Sequence, residues 1–113
     1  MSSIKNLIQE ASDVNLTPIH TTQCIGTSKQ MQFNMSYFKL VDVLGPPTIN
    51  PPGSDVKVEW CYRVTTDTDE FICSIYNDPH YYDHVDPQQM DKWCIGCDSN
   101  YHASIVLLYL RSK

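Results

Sequence analysis

Histidines and cysteines are the residues of this chain whose spacing could do chemistry, and they offer three constellations. His20-Thr21-Thr22 and His102-Ala103-Ser104 both match an H-x-T/S pattern. Two such pairs facing one another suit a two-histidine phosphoesterase acting on a (cyclic) nucleotide. One imidazole would act as acid and the other as base, while the hydroxyls of Thr22 and Ser104 hold the phosphate oxygens. That chemistry needs both histidines on paired strands, whereas His102 falls in a segment patterned as a helix. His80-x3-His84 with Cys94-x2-Cys97 supplies four ligands at spacings acceptable for zinc. The histidine pair, however, lies in an acidic loop rather than a tight knuckle, so no metal and no other cofactor is expected. Trp93-Cys94-Ile95-Gly96-Cys97 has the W-C-x-x-C form of a thioredoxin-type redox motif. That chemistry needs the first cysteine at a helix N-terminus inside a longer βαβ framework, and only 16 residues follow Cys97.

Two further groups read as binding residues. The stretch 77–91 is long for a loop in a small domain, and such loops often carry function. It sets Tyr81 and Tyr82 beside His80 and His84, a mixture of aromatic and polar side chains that suits a contact surface. Lys57 and Arg63, on the wetter side of a strand, could instead hold an anionic ligand. Between Asp67 and Asp91 there are seven acidic residues and no Lys or Arg. That block reads either as a solvated face or as a surface that meets a basic partner.

The elements that must position these residues are uneven in clarity. Residues 56–65 alternate Val56, Val58, Trp60, Tyr62 and Val64 with polar or small neighbours, the period of two that marks a strand with one buried face. The turn 66–69 leads to a second strand at 70–76, making an antiparallel hairpin, and a third short strand is expected at 92–97. Asp98, Ser99 or Asn100 can cap a final helix over 101–111, whose apolar residues cover most of its circumference. A short helix is expected at 3–11 and another at 37–44, the second stopped by Gly45-Pro46-Pro47. Residues 14–34 show no clear period and are expected to be irregular, with one short strand. Cys61 and Cys73 fall within strands as core or face residues.

The chain has 113 residues, 42% of them hydrophobic, the size and composition of one globular domain. Its formal net charge of −5 and scattered bases disfavour direct binding to nucleic acid or anionic membrane. The N-terminus lacks the apolar core of a secretory signal, and five cysteines are an odd number for a disulfide framework. A cytoplasmic protein with free thiols is therefore expected.

One resemblance stands beside this reading. Leu44-Gly45-x-Pro47, Lys57-x-Glu59-Trp60, Ile75-Tyr76-Asn77 and Trp93-x-Ile95-Gly96 resemble the pattern of a group of small uncharacterised proteins from phages and large DNA viruses. The chain departs from that pattern at Cys94, where the group has His, and at Cys97, where it has Gly. The resemblance implies a viral origin and an α+β fold, and no activity. The fold expected is α+β: a three- to four-stranded antiparallel sheet, a C-terminal helix on one face, and one or two short N-terminal helices. The leading function is a non-enzymatic viral accessory protein that binds a host protein or small ligand and interferes with a host process. The phosphoesterase and a self-associating virion protein are the alternatives.

Overall fold

The computed structural model describes residues 3–24, 26–79 and 85–113. In chain order the elements are α1 (Ser3–Ser12), β1 (Asn15–Pro18), β2 (Ser28–Asn34), α2 (Tyr37–Leu44), β3 (Thr48–Ile49), β4 (Val58–Thr65), β5 (Glu70–Asn77), β6 (Lys92–Cys97) and α3 (Asn100–Arg111). The fold is α+β, with six strands in one antiparallel sheet of order β1-β4-β5-β6-β2, and β3 also paired to β4.

The expected hairpin forms the centre of this sheet. Trp60 lies opposite Ile75, Tyr62 opposite Cys73 and Val64 opposite Phe71, so the apolar alternants of both strands share one face. Ile95 and Trp93 of β6 continue that face beside Ile75 and Asn77. Leu40 and Leu44 of α2 and Ala103, Val106 and Leu110 of α3 cover it, and all are buried in one core with Phe33 of β2. Burying a side chain of this size contributes roughly 1.5–3 kcal/mol. The helices therefore lie on one side of the sheet, and α1 packs on the outside of α3.

Three strands more than the hairpin and β6 complete the sheet, where three to four in all were expected. β1 and β2 come from the stretch expected to be largely irregular, and β3 is only two residues long. Each lies at an edge and is mostly exposed, so burial leaves little apolar alternation to read. Pro18 is tolerated in β1 because an edge strand can leave one N–H position unpaired. The first central strand begins at Val58 rather than Val56, because the Asn77 side-chain carbonyl accepts the N–H groups of Lys57 and Val58 at 2.7 and 3.0 Å. Helix α3 is also less enclosed than its composition suggests: Tyr101 and Leu108 remain 40% and 37% exposed.

The residues that carried the viral resemblance do structural jobs. Gly45 ends α2 at φ 85°, a backbone conformation that glycine adopts without strain. Its carbonyl accepts the Trp60 indole N–H at 2.8 Å, and the Trp93 indole N–H reaches the Met35 carbonyl at 2.8 Å. Glu59 accepts from the Asn50 amide at 2.9 Å and so holds the proline-rich loop to β4. Gly96 has no room for a side chain, since a Cβ there would sit 2.6 Å from Ser74 Oγ.

Candidate functional site

Helices α1 and α3 run antiparallel, with Tyr101 beside Glu10 and Leu107 and Leu108 beside Leu7 and Ile8. Their seam has two halves of different chemistry. One half is an apolar trough of about 330 Å³ between Leu7, Ile8, Ser104, Leu107, Leu108 and Arg111. Ile8 is 59% exposed there, although an isoleucine on an amphipathic helix normally turns inward.

The other half is a hollow of about 420 Å³ lined by Gln9, Glu10, Asp13, Asp67, Thr68, Asp69 and Tyr101. Glu10 forms its floor. It is buried, and its carboxylate accepts from Thr68 Oγ1 at 2.6 Å, from Thr66 Oγ1 at 3.3 Å, and from the Tyr101 hydroxyl. The Thr68 and Tyr101 hydroxyls hold its pKa below the ordinary carboxylate value and outweigh the opposing effect of burial. At the rim, Asp67 has its pKa raised by its contact with the Asp13 carboxyl and by that group's charge. The two carboxyls crowd each other, and no Lys or Arg stands among the described residues lining the hollow. Glu10 and Asp13 also lie at the C-terminal end of α1, where the helix dipole disfavours anions. The arrangement is a carboxylate-lined site, with Glu10 held by hydroxyl donors, Asp13 by the Gln9 amide and Asp69 beside His102, next to an exposed apolar one.

The opposite face of the sheet carries a second concavity. Because β1 and β2 occupy opposite edges, the connection between them must cross the sheet, and it takes the face away from the helices. Cys24 in that crossing meets Cys61 and Ser74, which project from β4 and β5 on that side. Hydrogen bonding from Cys61, helped by Ser74 and Thr27, lowers the Cys24 pKa to about 7 against the effect of burial. Beside the crossing, Gly26, Thr27, Arg63, Glu70, Phe71, Ile72 and Asp98 surround a hollow of about 340 Å³.

The residues singled out by spacing are dispersed. Arg63 does reach this hollow and pairs with Glu70 at 3.7 Å, both side chains largely exposed. Lys57 does not join it: its ammonium donates to the Ser54 carbonyl at 3.1 Å, and six residues of extended chain separate the two by roughly 20 Å. His20 Nδ1 bonds Thr22 Oγ1 at 2.8 Å and accepts the Thr22 N–H at 3.2 Å, which caps a turn at 21–23. His102 lies on α3, as its helical pattern implied, stacked on Phe71, and its partners are Asp98 and Asp69. The two histidines share no described partner. Ser104 is two residues from His102 on a helix, so it faces elsewhere, and its hydroxyl donates to the Asn100 carbonyl at 2.9 Å.

Cys94 and Cys97 are three residues apart on β6, so they project from opposite faces of the sheet. Cys94 meets Gln32 on the side away from the helices, whereas Cys97 lies in the helix-side core. One ion cannot take both thiols. His80, Tyr81, Tyr82 and His84, half of the expected zinc set and the centre of the expected binding loop, lie outside the described residues. The α1/α3 seam was missed because Glu10, Asp13, Asp67 and Tyr101 are far apart in sequence. The one local signal was the exposed-face count of apolar residues on α3, which exceeds what a single packed stripe needs.

No protein-family model, curated protein or solved structure matches this chain.

Proposed function

We propose that this protein is a non-enzymatic binding module that docks another protein along the α1/α3 seam. The partner segment is basic and amphipathic, with apolar side chains for the trough and Lys or Arg for the hollow. The observation that carries this reading is the juxtaposition of exposed Ile8 and Leu108 with the Asp13 and Asp67 carboxyls. A cation placed between those carboxyls would relieve their repulsion, and apolar burial beside it would supply non-directional affinity. The viral resemblance, taken as a guide to source, makes the chain an accessory protein and the partner a host protein.

The test is a binding titration with a fluorescent amphipathic helical peptide bearing Leu and Lys at i, i+3 and i+4. Binding that weakens with salt, and at least about tenfold in both Ile8→Glu and Asp67→Lys, supports the docking reading. Equal binding by an acidic peptide of the same apolar pattern, or binding indifferent to both substitutions, would overturn it. Native mass spectrometry of the untitrated protein separates the rival of self-association: a dimer lost in Ile8→Glu assigns the seam to a second copy instead.

A further inference from the structure

Three atoms able to ligate a metal converge where β6 ends and α3 begins. Cys97 is the last residue of β6, Asp98 follows it, and His102 lies in the first turn of α3, which Ser99 caps. Cys97 Sγ is 3.5 Å from Asp98 Oδ1, and that oxygen is 2.7 Å from His102 Nδ1. All three ligand atoms lie within 4.8 Å of one another.

An aspartate just before a helix that bonds a histidine four residues on needs nothing more to explain it. Two further features go beyond that. The other imidazole nitrogen, Nε2, is 3.3 Å from Asp69 Oδ2, across from a different strand connection. The ring itself is held flat on Phe71, with centroids 4.0 Å apart and planes 3° apart. A metal-bound histidine characteristically gives its remaining N–H to a carboxylate, which fixes both tautomer and orientation. Here that carboxylate is in place and the ring plane is set.

We infer that Cys97, Asp98 and His102 form a three-ligand site for a divalent cation of the zinc class, with Asp69 orienting the imidazole. The set of one thiolate, one imidazole and one carboxylate suits zinc rather than calcium or magnesium, which prefer all-oxygen shells. With bond lengths of about 2.0–2.3 Å, ligand atoms around a tetrahedral zinc lie roughly 3.3–3.6 Å apart. The Cys97–Asp98 separation of 3.5 Å already meets that. The Asp98–His102 separation must open by about half an ångström, which the Asp98 side chain, 50% exposed, can do by rotation. As the sulfur–metal bond forms, the Cys97 thiol proton leaves to solvent. Of the three ligands, Asp98 also lines the hollow that holds Arg63 and Thr27. The site adjoins the docking seam through Asp69, which also lines the seam's acidic hollow, and none of its three ligands lines that hollow.

Cobalt(II) titration of the reduced, chelator-treated full chain tests it. The expected result is a thiolate-to-cobalt charge-transfer absorption at one ion per chain, bleached by equimolar zinc. Cys97→Ser removes the band, Asp98→Asn and Asp69→Asn each weaken zinc binding by at least about tenfold, and Cys94→Ser changes nothing. Because the Cys97 variant can fail to fold, the two aspartate variants, altered at partly exposed side chains, keep the test decisive. Absence of the band, or a band that survives Cys97→Ser and vanishes in Cys24→Ser, overturns the site.

Discussion

The His102 imidazole lies parallel to the Phe71 ring at a centroid distance of 4.0 Å, and each of its nitrogens faces a carboxylate. That single side chain ties the start of α3 to the beginning of β5 and to the turn before it. Burial pushes the Asp98 carboxyl up, but hydrogen bonding and attraction to His102 outweigh it and hold its pKa below the ordinary value. A depressed carboxylate stabilises the fold above its unfolded pKa, and that contribution is lost as pH falls through the folded value. Asp98→Asn is therefore expected to lower stability at pH 7 and to match the parent protein in strong acid. Urea titrations of both proteins at neutral pH and near pH 2 check this; an equal deficit at both would refute the linkage.

Glu10 gives a second acid-sensitive contact by the same sign. Its carboxylate is held low chiefly by Thr68, then by Tyr101. Glu10→Gln keeps the shape but replaces one acceptor oxygen with a donor, facing hydroxyls that need an acceptor. The expected loss is about 1–3 kcal/mol at neutral pH, read from the denaturant midpoint. It should shrink as the parent protein is taken below the ordinary carboxylate range.

Gly96 should resist substitution for a reason that one further change removes. A Cβ at that position meets Ser74 Oγ at 2.6 Å, so Gly96→Ala forces the serine to move within a packed face. The expected destabilisation is about 1–3 kcal/mol. Ser74→Ala in the same chain should recover most of it, and a double-mutant cycle measures the coupling. Additive losses would show that backbone conformation, not this contact, requires the glycine.

Gly45 is required by its backbone. At φ 85° an L side chain is strained, and a Cβ there would meet nothing within 4 Å, so the space is open and conformation alone decides. Gly45→Ala should cost about 1–3 kcal/mol. Trp60→Phe should lose about 1 kcal/mol or more through the missing bond to the Gly45 carbonyl. Thermal unfolding followed by near-ultraviolet circular dichroism reads both.

Cys24 should be the first thiol modified. Its pKa of about 7 and partial exposure contrast with Cys61, Cys73, Cys94 and Cys97, which are buried and shifted upward. Alkylation by iodoacetamide followed by peptide mapping should find Cys24 alone in the folded protein, with a rate that rises through pH 7. Cys61→Ala removes the hydrogen bond that most favours the thiolate, and should move that profile to higher pH.

What sequence alone determined was the middle and the end of this fold. The alternation of Val58, Trp60, Tyr62 and Val64 is a local pattern that only a half-buried strand satisfies. The stop at Gly45-Pro46-Pro47 and a cap among Asp98, Ser99 and Asn100, which the structure assigns to Ser99, are equally local, because a helix end must satisfy its own backbone groups nearby. β1 and β2 were decided by tertiary structure. Leu16 and Thr17, or Gln30 and Gln32, become strand residues only because β4 and β6 offer unpaired edges, and such pairing leaves little trace in hydropathy. The sites followed the same division. Spacing suggested that Cys94 and Cys97 act together, but a strand turns residues three apart to opposite faces. It left Asp98 and His102 unremarked as partners of Cys97, since their convergence depends on how β6 hands over to α3. It also could not unite Glu10, Asp67 and Tyr101, because only the packing of α1 on α3 carries those three side chains to one hollow.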